Sequence, residues 1–69
     1  MDEQRLLESL MELREQMTEI QGLIDLFTRG KNLKHLKTFR VLTVKLSHTM
    51  KELRADTLTY EKEMKARLS

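Results

Sequence analysis

The chain has 69 residues, enough for one small domain and near the size at which a single core is only marginally stable. Charged residues make up 35% of the chain and apolar residues 39%, with two glycines and no proline or cysteine, which excludes disulfides and thiolate metal sites and disfavours a sheet or a disordered chain. The acidic start lacks the features of a signal peptide, and no apolar run approaches the roughly 20 residues that span a bilayer, so we predict a soluble, cytoplasmic protein.

The net charge of +2 conceals a strong asymmetry along the chain. Residues 1–28 carry seven acidic and two basic side chains, residues 29–51 carry seven basic and no acidic ones, and residues 52–69 carry four of each. Clustered lysine and arginine can bind an anionic surface or an acidic partner. The candidate basic patch consists of Arg29, Lys31, Lys34, Lys37 and Arg40.

The first long segment has apolar residues at alternating spacings of four and three. In a heptad lettered a to g, the residues at positions d and a are Leu6, Leu10, Leu13, Met17, Ile20, Ile24 and Phe27. This pattern predicts a helix over about residues 3–29, with an apolar stripe that another helix must cover. A turn should follow at about residues 29–32, with Gly30 as the left-handed residue and Asn32 as the cap of the next helix.

The same spacing resumes after the turn and predicts a second helix over about residues 33–68. Its positions a and d hold Leu36, Phe39, Thr43, Leu46, Met50, Leu53, Thr57, Tyr60 and Met64. A possible capping box at Thr49 leaves open a break near Ser47–His48. Because the heptad phase passes through this point unshifted, we favour one continuous helix.

The heptad phases of the two helices match across the turn. Pairing Phe27 with Leu36 places Ile24 opposite Phe39 and sets a position a against a position d in every layer. We therefore predict an all-α fold, an antiparallel two-helix coiled-coil hairpin that forms a single domain over residues 1–69. Two helices bury little surface, so we expect the hairpin to assemble with a partner or as a dimer.

Apolar side chains also remain outside the predicted seam. Such residues could simply widen the contact between the two helices, but clustered exposed aliphatics usually mark an interface. They lie on both flanks of the seam and on the overhanging end of the second helix. The candidate partner-binding residues are Leu23, Leu26, Leu42, Leu7, Met11, Leu58, Met64 and Leu68.

The chain carries no recognisable catalytic, metal-binding or cofactor-binding motif. Ser47 and His48 are adjacent on a helix and point about 100° apart, so they cannot pair as nucleophile and base. His48 and Glu52 share a face, but two ligands do not make a metal site. We predict a non-enzymatic protein that uses no cofactor and binds a helical protein as a chaperone or adaptor. A homodimeric four-helix bundle and a nucleic-acid-binding hairpin that uses the basic turn remain alternatives.

The residues around the turn carry a family resemblance. Leu26-Phe27-Thr28-Arg29-Gly30 is followed by a polar turn and then by Phe39. This arrangement resembles the YscE-type co-chaperones of bacterial type III secretion, which are short cytoplasmic helical hairpins with an Arg-Gly step near the turn. Those proteins pair with a helical-repeat chaperone and keep the needle subunit from polymerising early. The resemblance implies a helical hairpin that acts as a co-chaperone.

Overall fold

The computed structural model describes residues 2–68 as two helices packed against each other. The first, α1, spans Glu3–Thr28, and the second, α2, spans Leu36–Leu68. They run antiparallel in an elongated body of 55 × 16 × 15 Å. The prediction of an all-α helical hairpin is therefore confirmed.

The start of α1 is set by its capping residue. The carboxylate of Asp2 accepts a hydrogen bond from the backbone N–H of Gln4 at 3.2 Å, and the Asp2 carbonyl accepts one from the N–H of Leu6 at 3.2 Å. These bonds satisfy donors that the first turn of a helix leaves unpaired. Glu3 adds a negative charge at the positive end of the helix dipole.

The connection between the helices is longer than predicted, because α2 begins at Leu36 rather than at about residue 33. Asn32 does not cap α2: its side-chain oxygen accepts a hydrogen bond from the backbone N–H of Lys34 at 3.0 Å, within the turn and two residues before the helix, so that prediction is wrong. One turn at residues 34 and 35 then leads into the helix. The left-handed residue is Lys31, with φ at 51°, so the prediction of a left-handed Gly30 is wrong.

Glycine is required at position 30 because a side chain would not fit there, and not because the residue has a positive φ angle. A Cβ atom at this position would lie 2.9 Å from the carbonyl oxygen of Leu26, which is backbone and cannot swing away. The same carbonyl accepts a hydrogen bond from the N–H of Asn32 at 3.3 Å, so the chain folds back closely over the end of α1. Gly22 differs, because a Cβ atom there would meet nothing within 4 Å.

Alanine at the two glycines should therefore change stability in opposite directions. Gly30→Ala is expected to lower the free energy of unfolding by about 1–3 kcal/mol through the clash with Leu26. Gly22→Ala is expected to raise it by about 0.5–1 kcal/mol, because alanine is the better residue inside an exposed helix. Urea denaturation followed by helical circular dichroism measures both. Equal effects of the two substitutions would rule out the close approach at Gly30.

The second helix is continuous over its 33 residues. It passes through Ser47–His48 without interruption, so the alternative of a break there is wrong. Thr49, which would have capped a new helix, is instead buried in the contact with α1. The exposed pair of His48 Nε2 and Glu52 Oε1, 3.0 Å apart, lies on the outer side of the same stretch.

The two helices pack mainly through heptad positions d and g, and Thr43, Thr57 and Met64 at position a of α2 are also half-buried. The buried residues, 5–9% exposed, are Leu6, Ile20 and Leu53 at position d and Thr49 at position g. The half-buried residues at these two positions are Ser9, Leu13, Gln16, Leu23, Phe27, Phe39, Leu42, Leu46, Asp56, Tyr60 and Glu63. Relative to the prediction, α1 is rotated by about one heptad position, roughly 50°, and α2 by less, because Thr43, Thr57 and Met64 at its position a remain half-buried.

The register of the hairpin also differs from the predicted one. The rings of Phe27 and Phe39 meet edge to face, with centroids 5.4 Å apart and planes at 84°. This contact takes the place of the predicted pair of Phe27 with Leu36 and moves α2 by three residues. Seven-residue steps in opposite directions from the Phe27–Phe39 pair generate the other d layers. By this spacing we expect Ile20 near Leu46, Leu13 near Leu53 and Leu6 near Tyr60.

Candidate protein-interaction surface

The exposed residues at heptad position a form an apolar row on each helix. In α1 they are Leu10, Met17 and Ile24, and in α2 they are Leu36 and Met50, all 42–54% exposed. We call the position-a residues of both helices the open face. Because large apolar side chains at helical spacing are ordinarily covered, an uncovered row is typical of an interface.

Both rows lie on the same side of the hairpin. Gln16 at position g of α1 lines one groove together with Leu42 and Thr49 at position g of α2. In each helix, positions a and g lie on opposite sides of position d, and the d residues point between the helices. The position-a residues of α1 and α2 therefore emerge together on the side away from this groove.

The groove side is the more polar of the two sides. Its rim carries Glu12, Glu15 and Glu19 from α1 and Lys45 and His48 from α2. Among the residues that the structure describes, the buried Oε1 atom of Gln16 finds no hydrogen-bond partner. The hairpin thus covers a flank that contains Gln16 and Thr49 as well as Leu23 and Leu42. On the other flank Thr43, Thr57 and Met64 are half-buried, and the exposed apolar residues are Leu10, Met17, Ile24, Leu36 and Met50.

The predicted partner-binding residues divide into two groups in the structure. Three are half-buried and contribute to the contact between the helices or its edge: Leu23, Leu26 and Leu42. Four are exposed: Leu7 beside the open face, Met11 and Leu58 farther round the helices, and Leu68 at the end of α2 with 84% exposure. Met64 is half-buried. The three-residue change of register shortens the overhang of α2 and brings Met64 closer to the start of α1.

Sequence reasoning missed the open face because it assigned those residues to the seam. The available signal was the presence of apolar residues at position g, namely Leu23 and Leu42, in addition to positions a and d. A helix with three apolar positions per heptad has a stripe too wide for one neighbour. In this chain the third apolar position occurs only at Leu23 and Leu42, so the stripe is widened near the turn and not along the whole hairpin.

The five residues of the candidate basic patch are exposed and surround the turn end of the hairpin. Arg29 Nε lies 4.0 Å from Asp25 Oδ1, an exposed ion pair along the last turn of α1. Lys37 and Arg40 flank the exposed Val41 and Val44 on the outer side of α2. The patch therefore combines positive charge with some aliphatic surface and lies at one extreme of the molecule.

Residues 2–68 lack the features of two further kinds of site. No three acidic or histidine side chains in this range come together in a way that could hold a metal ion. Neither helix, over the same range, is apolar over a sufficient length to cross a bilayer. Comparison with protein-family models, curated proteins and solved structures finds no match to this chain.

Proposed function

We propose that this protein is a non-enzymatic interaction module that binds the helices of another chain through its open face. The observation that supports the proposal is the row of apolar position-a residues that the hairpin leaves exposed while burying polar residues at position g. Helices in bundles carry a broad apolar stripe because each contacts more than one neighbour. Each helix here has one neighbour in the hairpin, and a second would come from the bound chain.

In its sharper form, the proposal is a small cytoplasmic chaperone, co-chaperone or adaptor. Met17 and Met50 occupy the middle of the open face, and the flexible methionine side chain adapts to differently shaped apolar surfaces. The resemblance of the turn region to the YscE-type co-chaperones supports this form and suggests a helical-repeat protein as the partner. Binding through shape and apolar contact would suit the open face, which carries little charge.

A paired substitution tests the proposal. Replacing Met17 and Ile24 together by glutamate should weaken binding of a helical partner at least 100-fold, because both charges would be buried without a counter-ion in the complex. In the free hairpin both side chains are about half exposed, so the variant should keep its helical circular dichroism spectrum. The partner is captured with the immobilised wild-type chain, purified, and titrated calorimetrically against each variant.

The matched control places the same two charges on the outer side of α1. Thr18→Glu with Gly22→Glu changes exposed residues away from the open face and should leave partner binding unchanged. The proposal fails if the control weakens binding as much as the test variant does. It also fails if the Met17 and Ile24 variant binds every captured partner as tightly as the wild-type chain.

A further inference from the structure

We propose that a second copy of this chain covers the open face, forming an antiparallel four-helix bundle whose twofold axis passes Met17 and Met50. This inference rests on the proposed function, because it names the chain that covers the same face. Three independent features of the structure support it: the surface area of the hairpin, the order of residues along the open face, and the distribution of charge.

The hairpin exposes far more surface than its mass requires. Its accessible area is 5948 Å², whereas a compact monomer of 8.2 kDa exposes about 4,500 Å², so the excess is roughly 1,400 Å² per chain. The radius of gyration is 16.2 Å, compared with about 11 Å for a compact chain of this length. Two copies that removed this excess would bury about 2,800 Å² in total, within the range of obligate homodimers.

The order of residues along the open face is self-complementary. A twofold axis across the helices places α1 antiparallel to α1 of the other copy and α2 antiparallel to its own equivalent. In α1, Leu10 and Ile24 lie seven residues on either side of Met17. The antiparallel match then sets Met17 against Met17 and Leu10 against Ile24 of the other copy.

The second helix repeats this symmetry around Met50. Thr43 and Thr57 lie seven residues on either side of it, and Leu36 and Met64 lie fourteen residues away. Equal steps in opposite directions from the Phe27–Phe39 contact bring Met17 level with about residue 49, so we expect Met50 within about one residue, roughly 1.5 Å, of the same height. One twofold axis can therefore pass both Met17 in α1 and Met50 in α2.

The distribution of charge favours the antiparallel bundle over a bundle in which the turns of both copies lie at the same end. Residues 29–40 carry five basic side chains and no acidic one. At the open end, residues 2–12 carry four acidic side chains and one basic one (−3), and residues 60–68 carry two acidic and three basic ones (+1), which gives that end a net charge of −2. The antiparallel bundle separates the two basic turns and places each beside the acidic end of the other copy. At heptad position e, Arg40 comes opposite Glu61 of the other copy and Arg14 opposite Gln21, with no like charges facing each other.

Single cysteines test the axis directly, because the chain has no cysteine of its own. Met17→Cys and Met50→Cys, each alone, should form a disulfide-linked dimer under mild oxidation, since each residue meets its own equivalent at the axis. Ile24→Cys alone should not, because its two copies would lie about 21 Å apart along the bundle. Mixed with Leu10→Cys, however, Ile24→Cys should cross-link. Light scattering of the wild-type chain should give twice 8.2 kDa.

Each alternative outcome overturns the inference in a recognisable way. Self-cross-linking of Ile24→Cys would show a parallel or different dimer. A wild-type monomer without any cross-link would show that no second copy occupies the face. In that case, the proposed function would still hold if the wild-type chain captures a helical partner that the Met17 and Ile24 glutamate variant fails to bind. The open face would then be covered by that partner and not by a second copy. If the wild-type chain is a monomer without cross-links and the glutamate variant loses no binding of a partner, both proposals are overturned.

Discussion

Leu53→Ala is expected to lower the free energy of unfolding by about 2–5 kcal/mol, the range for emptying a buried leucine position. Leu53 is 5% exposed and lies in the d layer opposite Leu13, near the middle of the hairpin. Small domains have a total stability of about 5–15 kcal/mol, so this single change would remove a large part of it. Urea denaturation followed by circular dichroism measures the loss.

Lys62→Ala is the matched control for this substitution. Lys62 lies on the same helix at the outer position f and is exposed, so its removal should change the free energy of unfolding by less than about 0.5 kcal/mol. Both variants are compared at one protein concentration, because the midpoint of a dimer depends on concentration. A loss below about 1 kcal/mol for Leu53→Ala would contradict the packing of positions d at the centre of the hairpin.

The elements of this fold could be predicted from the sequence because their signals are local. The heptad spacing of apolar residues defines both helices, the cap at Asp2 bonds a residue two positions away, and Asn32 bonds Lys34 within the turn. The absence of a proline or glycine near Ser47–His48 agrees with the unbroken second helix. Each of these features depends on the residues of one short segment.

The rotation and register of the helices could not be predicted, because they depend on contacts between segments. Apolar residues occur at position g as well as at position a, so Leu23 and Leu42 compete with Ile24 and Leu36 for the seam. The connection also runs from residue 29 to residue 35 rather than to about residue 32. These three additional residues equal the three-residue change of register.

The rotation and the register of the helices also decide where the candidate interaction surface lies. Had positions a and d formed the seam, the exposed apolar residues would have been those on the flank of Leu23 and Leu42. The observed rotation buries that flank in part and exposes Leu10, Met17 and Ile24 instead. A change of about 50° in α1 therefore exchanges its inner and outer apolar flanks. The location of the candidate interaction surface thus depends on the rotation of the helices, which the heptad spacing does not determine.

The aromatic pair at the turn end provides the sharpest test of the observed register. Phe27→Ala is expected to cost about 2–4 kcal/mol, since the side chain is large but only half-buried. A double-mutant cycle with Phe39→Ala should show a coupling of about 0.5–1.5 kcal/mol, the contribution of an edge-to-face aromatic contact beyond buried area. Both values come from urea denaturation of the two single variants and the double variant.

The decisive comparison is a second cycle that joins Phe27→Ala to Leu36→Ala. The register predicted from the heptads alone pairs Phe27 with Leu36, whereas the structure pairs it with Phe39. Coupling confined to Phe27 and Phe39 would support the observed register, and with it the shared height of Met17 and Met50 on which the twofold axis depends. Stronger coupling between Phe27 and Leu36 would return the seam to positions a and d, cover Met17 and Met50 within one hairpin, and remove the open face as a binding surface.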